Sequence, residues 1–231
     1  NHVVGIVIGE FTDNPQTDVV PDEHPFNRLY FEGGTYIGTG YQDFPVHYNT
    51  LKMILDRKPE SVIDIGGSRG YVVKKLNDAG IPSVCMDVSE HCYHTRATDN
   101  FVLHDATKIP YPFKDKQFDL AMSVSVLEHI AEDKIPTVVK EIARISKRGF
   151  HGIPFEPIPN DVDNTHVTIK PITWWRKIFE ESCPNYKYEI VEKEDTEKGM
   201  VCLPIITDNL IKLNICSSIN MFHYSWQNID K

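Results

Sequence analysis

The chain has 231 residues, enough to bury one complete α/β core without disulfides or a structural metal. Its 24 Lys and Arg against 33 Asp and Glu give a formal net charge of −9, which argues against a nucleic-acid-binding surface. No stretch reaches the roughly 18 to 20 apolar residues of a membrane span, and no signal-peptide pattern opens the chain.

Five cysteines lie at positions 85, 92, 183, 202 and 216 and include no Cys-x-x-Cys pair. An odd count without regular spacing fits reduced thiols, so we expect a cytoplasmic location. The chain opens at Asn1 rather than at a methionine, which fits a domain that belongs to a longer polypeptide.

Residues 1–48 are predicted to form an N-terminal arm that ends in an aromatic lid, and residues 49–231 a single globular domain. A polar, proline-containing stretch runs to Pro25, and seven aromatic residues interleaved with glycines follow between Phe26 and Tyr48. Such a segment can fold over a site and exclude water, with Tyr30, Tyr36 and Tyr41 as candidate contacts. The alternative is that the aromatic segment only packs against the sheet by hydrophobic contacts.

From Ser61 onward the pattern alternates short apolar strands with amphipathic helices. The predicted strands in this part are 61–65, 83–87, 101–103, 118–124 and 149–153. The predicted helices are 46–57, 71–79, 134–146 and 172–181. This alternation favours a parallel sheet covered by helices on both faces.

The first predicted strand ends in a glycine-rich turn, Asp64-Ile65-Gly66-Gly67-Ser68-Arg69-Gly70. In an open α/β sheet this turn lies at the carboxyl edge of the strands, where cofactors bind. Glycine is favoured there because a residue without Cβ lets the backbone turn tightly and approach a ligand. A dinucleotide fingerprint would require glycine at positions 66, 68 and 71, and this chain has Ser68 and Tyr71 at two of them.

The turn resembles the first motif of class I S-adenosylmethionine-dependent methyltransferases, Asp/Glu-x-Gly-x-Gly-x-Gly, with Ser68 at the middle glycine. The resemblance covers residues 60–155. It implies S-adenosylmethionine as cofactor, S-adenosylhomocysteine as product, and cofactor contacts from Asp64, Gly66, Gly67, Ser68 and Gly70.

The same resemblance implies a fold for residues 49–231, the methyltransferase domain. We expect a Rossmann-like α/β sandwich whose mostly parallel seven-stranded sheet ends in an antiparallel hairpin. Strand-like runs at 186–191, 200–206 and 211–217 supply the remaining strands, and a turn at Thr207-Asp208-Asn209 joins the last two.

Two acids follow the next two predicted strands. Asp87 lies 23 residues after Asp64, beside Val88, where a carboxylate can accept hydrogen bonds from both ribose hydroxyls of a nucleoside cofactor. A carboxylate that only caps the next turn is the alternative. The resemblance places His104, Asp105 and Ala106 at the adenine, with a simple loop acid as the alternative for Asp105.

The fourth predicted strand and its sequel, with Val126-Leu127-Glu128-His129-Ile130, resemble the fourth motif of small-molecule methyltransferases. Ser123 is expected to line the methionine portion of the cofactor, and Asp119, at the other end of the strand, to be structural. The Asn/Asp-Pro-Pro-Tyr motif of amino-methylating relatives is absent, which disfavours nucleobase amines. Glu128-His129 is an alternative acid/base pair, although such a pair more often starts the next helix.

The loop after the fifth strand is the expected place for acceptor chemistry. His166 is the predicted general base, oriented by Asp163 or Asp161, because an imidazole accepts protons near neutral pH. A histidine that only packs is the alternative. A Mg²⁺ site at Asp161, Asp163, Asn164 and His166 is a further alternative, but strand four ends without an acid, so we expect no metal.

These features predict an S-adenosylmethionine-dependent O-methyltransferase acting on a small molecule or glycan, with a terminal sugar such as rhamnose favoured. One of Trp174 and Trp175 would fill the core and the other line the acceptor pocket. The general pattern resembles methyltransferase domains of multidomain glycan-building proteins of large viruses and bacteria, so glycosyltransferase domains are expected neighbours. The alternatives are a nicotinamide-dependent oxidoreductase, a non-catalytic binding module, and an N-methyltransferase of a small amine.

Overall fold

The computed structural model describes residues 24–32, 45–155, 163–185, 187–188 and 200–206, with the backbone alone at 45–50, 187–188 and 200–206. The predicted contacts Tyr36 and Tyr41, the candidate Asp161 and the predicted strand 211–217 lie outside the described residues.

Seven strands form one sheet in the order β3-β2-β1-β4-β5-β7-β6. All neighbours from β3 to β5 pair in parallel, and β7 pairs antiparallel with both β5 and β6. The strands are β1 (Val62–Ile65), β2 (Ser83–Asp87), β3 (Phe101–Leu103), β4 (Phe118–Val124), β5 (Ser146–Pro154), β6 (Lys187–Tyr188) and β7 (Met200–Ile206). The predicted mostly parallel, seven-stranded α/β sheet is confirmed.

Helices connect the strands. They are α1 (Arg28–Glu32), α2 (Pro45–Asp56), α3 (Tyr71–Asp78), α4 (Glu90–His94), α5 (Ile135–Ile145) and α6 (Ile172–Ser182), with 3₁₀ turns at Leu127–His129 and Glu132–Lys134. The sequence predicted α2, α3, α5 and α6 to within one residue at each end. No described helix has the length and apolar character needed to cross a membrane.

Helices α5 and α6 cover one face of the sheet. The side chains of Val138, Val139 and Ile142 on α5 are buried because they recur at helical spacing, and they join one cluster with Trp175 and Phe179 of α6. Trp175 is fully buried, whereas Trp174 is partly buried against this cluster. The expectation that one of the two tryptophans fills the core is therefore confirmed.

The end of the sheet differs in detail from the prediction. The described antiparallel pairing joins Met200–Ile206 to Lys187–Tyr188 and to β5, with Tyr188 opposite Ile205 and Gly152 opposite Cys202. Strand β7 therefore lies between β5 and the edge strand β6. Because β1, β2, β4 and β5 are parallel, they all end at one open edge of the sheet, together with the loops that carry the candidate residues.

Candidate active site

The glycine turn between β1 and α3 adopts the tight geometry that the motif predicts. Gly66 and Gly70 have φ of 70° and 76°, and Ser68, at the motif's middle glycine, has φ of 53°. All three lie in the left-handed region, which glycine enters without steric cost. Ser68 therefore occupies a glycine-type backbone position.

Neighbouring side chains leave no room for larger residues at the turn. A Cβ on Gly66 would lie 2.4 Å from Val126 Cγ2, beyond the end of β4. A Cβ on Gly67 would lie 2.7 Å from Asp64 Oδ2 and 2.8 Å from Cys85 Sγ. The turn is thus fitted against both neighbouring strands, and its backbone lies at the sheet edge.

Asp87, at the end of β2, is joined to this turn. Its Oδ2 accepts a hydrogen bond from the Ser68 backbone N–H at 2.8 Å, and its Oδ1 accepts one from Ser89 N–H at 2.8 Å. The bond from Ser89 shows that Asp87 caps the turn after β2, which was the alternative role considered from the sequence. The bond from Ser68 holds the same carboxyl against the glycine turn. Each oxygen keeps a second lone pair that a hydroxyl could use.

Two buried acids lie behind the turn. Burial raises the pKa of the Asp64 carboxyl to about 8, and the charge of Asp87 adds to the increase. Burial raises the pKa of Asp87 to about 6, although the backbone N–H groups of Ser89, Ser68 and Val88 lower it in part. A pair of such carboxyls favours a cationic ligand, because a positive charge lowers the cost of ionising them.

The candidate adenine residues form a local turn after β3. Asp105 Oδ1 accepts a hydrogen bond from Thr107 N–H at 2.8 Å, as in the loop-acid alternative, and the Ala106 carbonyl accepts one from the Tyr111 hydroxyl at 2.8 Å. His104 Nε2 lies 2.8 Å from the Lys108 carbonyl oxygen. The backbone of His104 is tied to β2, since its N–H donates to the Asp87 carbonyl.

The side chain of Ser123, near the carboxyl end of β4, already has a partner inside the domain. Ser123 is fully buried and its hydroxyl lies 2.8 Å from Nδ1 of His151 on β5, and its contact with the methionine portion of the cofactor stays a prediction. Burial lowers the pKa of His151 to about 4, and the pair is therefore neutral. At the opposite end of β4, Asp119 pairs with Arg148 and accepts a bond from the Glu60 backbone N–H, consistent with a structural role.

The loop after β5 is fastened to the 3₁₀ turn that follows β4. The backbone N–H groups of Val167 and Thr168 both donate to the Glu128 carbonyl oxygen at 2.9 Å, and the Thr168 hydroxyl donates to the Ile130 carbonyl. These bonds bring His166 beside His129, with ring centroids 4.7 Å apart. Two segments distant in sequence thus share one cluster.

Asp163 organises this cluster, and its backbone carbonyl accepts a hydrogen bond from the His166 backbone N–H at 3.4 Å. Its Oδ1 accepts bonds from the backbone N–H and the hydroxyl of Thr165, and its Oδ2 accepts one from the Tyr30 hydroxyl at 2.9 Å. His166 Nε2 lies 3.7 Å from Oδ2, close enough for electrostatic attraction. Asn164, a member of the alternative metal set, is exposed.

Glu128, which the sequence offered only as half of an alternative acid/base pair with His129, is a candidate site residue in the structure. It is fully buried, and neither of its carboxyl oxygens has a hydrogen-bond partner among the described residues. Burial raises its pKa to about 8, and the charge of Asp163 adds to the increase. The expectation that no acid lies near the end of β4 is therefore wrong, because the chain turns back after Ser125 and places Glu128 beside the edge.

Helix α1 covers this edge. Tyr30 and Phe31 are buried, and Phe26 meets the ring of His129 edge-on at 5.3 Å. Glu32 accepts a hydrogen bond at 3.0 Å from Arg69, a buried residue of the glycine turn, and its Oε1 lies 3.2 Å from His91 Nε2. The described part of the aromatic segment thus bridges the glycine turn and the loop after β5.

Part of this chain matches a known protein family. Residues 63–151, from β1 into β5, match the family described as a methyltransferase domain. This part of the chain is therefore similar to S-adenosylmethionine-dependent methyltransferase domains. The match contains the glycine turn, Asp87, Asp105 and the Glu128-His129 pair.

One curated relative is the malonyl-[acyl-carrier protein] O-methyltransferase of Neorickettsia risticii (strain Illinois). It is 27% identical over 168 residues, which cover 67% of this chain and 59% of the relative. The chain therefore matches less than two thirds of that protein's length.

Solved structures of methyltransferases share the fold of this domain. Magnesium protoporphyrin IX methyltransferase from Synechocystis PCC 6803, with bound S-adenosylhomocysteine, has a TM-score of 0.56 and 13% identity, covering 70% of this chain and 82% of its own. A methyltransferase from Archaeoglobus fulgidus has a TM-score of 0.53 and 20% identity, covering 65% of this chain and 74% of its own.

Proposed function

We propose that the methyltransferase domain binds S-adenosylmethionine at the edge formed by β1, β2 and β3 and transfers its methyl group to an oxygen of a small acceptor. The observation that carries this proposal is the joining of Asp87 to the left-handed glycine turn through the Ser68 N–H. Asp87 would accept bonds from the ribose hydroxyls, the backbone of the turn would lie against the methionine portion, and Asp105 would meet the adenine.

The acidic surroundings support a cationic donor. S-adenosylmethionine carries a positive sulfonium, and the buried carboxyls of Asp64 and Asp87 gain stability as anions when a cation lies nearby. Loss of the methyl group removes that charge, so the same carboxyls would hold the product less tightly. This difference favours product release.

The acceptor would bind at the cluster that follows β4 and β5. The acceptor oxygen would attack the methyl carbon in line with the sulfur, the carbon–sulfur electron pair would return to sulfur, and the hydroxyl proton would pass to His166. The products are the methyl ether and S-adenosylhomocysteine. His166 lies beside Asp163, whose negative charge at 3.7 Å would stabilise the imidazolium that forms.

A glycan acceptor, with a terminal sugar such as rhamnose favoured, remains our preferred substrate class. Trp174 supports it, because this partly buried indole has the flat apolar surface on which a sugar ring can stack. Action beside glycosyltransferase domains would supply such an acceptor. A cytoplasmic location is supported by Cys85 and Cys92, which are free thiols among the described residues.

A carboxylate acceptor is the second candidate, and the relative that methylates a malonyl group favours it. A carboxylate is already ionised at neutral pH, so its methylation requires no general base. The two candidates therefore differ in their need for His166. A sugar hydroxyl requires proton removal, whereas a carboxylate does not.

The test begins with calorimetric titration of the purified chain with S-adenosylhomocysteine and with NAD. We expect binding of the former and none of the latter, and the reverse would favour an oxidoreductase. An acceptor panel of sugars, carboxylates and small amines would then be assayed for cofactor consumption. With a hydroxyl acceptor, His166→Gln should lower kcat by about 100- to 10,000-fold.

Binding of the cofactor without turnover on any acceptor would instead support a non-catalytic module. Turnover on an amine alone would support N-methylation. A His166→Gln variant with unchanged turnover on a confirmed sugar acceptor would contradict the role assigned to His166.

A further inference from the structure

Three side chains at the acceptor end of the site meet in a way that their proposed roles do not explain. One potential ligand atom from each of Glu128, His129 and His166 lies within 4.8 Å of the other two. Glu128 and His129 belong to the 3₁₀ turn after β4, and His166 belongs to the loop after β5. The paired bonds from Val167 and Thr168 to the Glu128 carbonyl fix the two segments against each other.

The Glu128 carboxyl is the strongest evidence that something else binds here. It is 0% exposed, and neither oxygen has a hydrogen-bond partner among the described residues. The backbone N–H groups of Glu128 and Val126 and the Ser125 hydroxyl approach the carboxyl and lower its pKa in part, but none of these contacts has full hydrogen-bond geometry. A buried carboxyl without partners costs stability, and proteins keep such groups where they bind a cation or take part in chemistry.

The orientation of His129 is set by a chain of hydrogen bonds. The Thr165 hydroxyl donates its single proton to Asp163 Oδ1, so it can only accept at the contact with His129 Nδ1, 2.8 Å away. Nδ1 of His129 therefore carries the proton, and the neutral ring has its lone pair on Nε2. A carboxylate that orients a histidine through its second nitrogen is the usual support of a metal-binding imidazole.

We propose that Glu128, His129 and His166 bind a divalent transition-metal ion. Two imidazoles and one carboxylate suit Zn²⁺, Mn²⁺, Co²⁺ or Fe²⁺ better than Mg²⁺, which prefers oxygen ligands. Three protein ligands leave at least one position open. The acceptor oxygen is the natural occupant of that position, and this part of the inference rests on the proposed function.

A bound ion would change how the acceptor loses its proton. A ligated His166 cannot also accept a proton at the same nitrogen, so the ion would polarise the hydroxyl and its proton would pass to water. The methyl carbon would then bond to the metal-held oxygen while the carbon–sulfur pair returns to sulfur. The metal-bound and metal-free forms thus require different groups for the same step.

The experiment measures metal binding without cofactor or acceptor. The full chain, treated with a chelator and dialysed, is titrated with Co²⁺ by calorimetry and by visible absorption, which reports nitrogen and oxygen ligands directly. We expect one Co²⁺ per chain. Glu128→Gln should weaken binding by at least about 100-fold. Thr165→Val, which removes the hydroxyl between His129 and Asp163 but no proposed ligand, should weaken it by about tenfold.

Matched controls are Glu132→Gln and His94→Gln, which change the same residue types outside the cluster. Both should bind Co²⁺ as the unaltered chain does. If Glu128→Gln unfolds, His166→Gln replaces it, and Co²⁺ should raise the Tm of the unaltered chain but not of that variant. The metal site would be overturned if Glu128→Gln and His166→Gln bound Co²⁺ as tightly as the unaltered chain does. It would also be overturned if the unaltered chain bound no stoichiometric Co²⁺.

This outcome is separate from that of the proposed function. Binding of S-adenosylhomocysteine without binding of Co²⁺ would remove the metal and leave the methyltransferase proposal intact. Binding of Co²⁺ without affinity for S-adenosylhomocysteine would do the reverse.

Discussion

Thr165 Oγ1 lies 2.8 Å from His129 Nδ1, which joins the loop after β5 to the turn after β4. The same hydroxyl donates to Asp163, so the hydrogen bonds run from His129 through Thr165 to Asp163. Tyr30 of α1 donates to the other oxygen of Asp163. Three segments that are remote in sequence therefore fix one another at the acceptor end of the site.

The hydroxyl of Tyr30 should contribute more to stability than another buried hydroxyl of the domain. Tyr30→Phe removes a bond to a carboxylate, and we expect a loss of about 1.5 to 3 kcal/mol in the free energy of unfolding. Tyr111→Phe removes a bond to the neutral Ala106 carbonyl and should cost about 0.5 to 1.5 kcal/mol. Urea unfolding of both variants measures the difference, and equal losses would show that Asp163 is not held as a charged group.

Two glycines with positive φ can be compared, Gly66 in the glycine turn and Gly80 after α3. Gly80, with φ of 82°, has nothing within 4 Å of an added Cβ, so Gly80→Ala should cost only about 1 kcal/mol of backbone strain. Gly66→Ala adds the contact with Val126 and should cost about 1 to 3 kcal/mol more. Thermal unfolding and S-adenosylhomocysteine titration measure both effects.

A second substitution checks the cause. Val126→Ala introduced into Gly66→Ala should recover part of the lost stability, because it removes the two methyl groups nearest the added Cβ. No recovery would show that the loss comes from backbone strain alone.

Asp87 should be needed for cofactor affinity. Asp87→Asn retains the size of the side chain but loses one acceptor oxygen, so it cannot accept both backbone bonds and a ribose hydroxyl. We expect the Kd for S-adenosylhomocysteine to rise by at least about tenfold, the equivalent of one lost hydrogen bond to a charged group. Asp99→Asn, at a carboxylate whose side chain is 98% exposed, is the control and should leave Kd unchanged.

Cofactor binding should strengthen as pH rises from 5.5 to 7.5. In the ligand-free chain the carboxyls of Asp64 and Asp87, with pKa values of about 8 and about 6, hold protons over much of this range. A cationic ligand favours their ionised forms, so binding releases protons, and affinity rises by up to roughly tenfold per pH unit for each proton released.

Calorimetry across this pH range provides the measurement, with S-adenosylhomocysteine as the comparison ligand. Its slope should be shallower, because it lacks the sulfonium charge. Asp64→Asn should flatten the slope for S-adenosylmethionine. Affinity for S-adenosylmethionine that does not change with pH would contradict the assignment of these carboxyls to the donor.

The local hydrophobic pattern of the sequence was sufficient to predict most of the strands and the longer helices. The bounds of β2, β3 and β4 were predicted to the residue, because a short apolar run between polar or glycine-containing stretches leaves little freedom in where the strand begins and ends. Helices α1 and α4 were missed, since five residues are too few to display a helical period. The role of Asp87 was inferred from its spacing and its structural context agrees with that inference, although ligand contact stays a prediction.

The side-chain contacts at the acceptor end of the site could not be predicted from the local sequence pattern. Glu128 was treated as the start of a helix, and its burial beside His166 depends on backbone bonds from Val167 and Thr168. The partner of the Ser123 hydroxyl was not predicted either: it is His151, because the pairing of β4 with β5 places those residues opposite each other. Neither relationship has a signature in the order of residues.

The order of residues by itself determined the parallel sheet and the glycine turn, since both follow from short-range periodicity and the steric freedom of glycine, and it carried the resemblance to methyltransferases. Only the tertiary structure decided which histidine, threonine and carboxylate side chains meet around Glu128, and that α1 lies over them. Those contacts join residues separated by 36 to 133 positions, and they arise when the loops pack at one sheet edge and must satisfy their buried polar groups together.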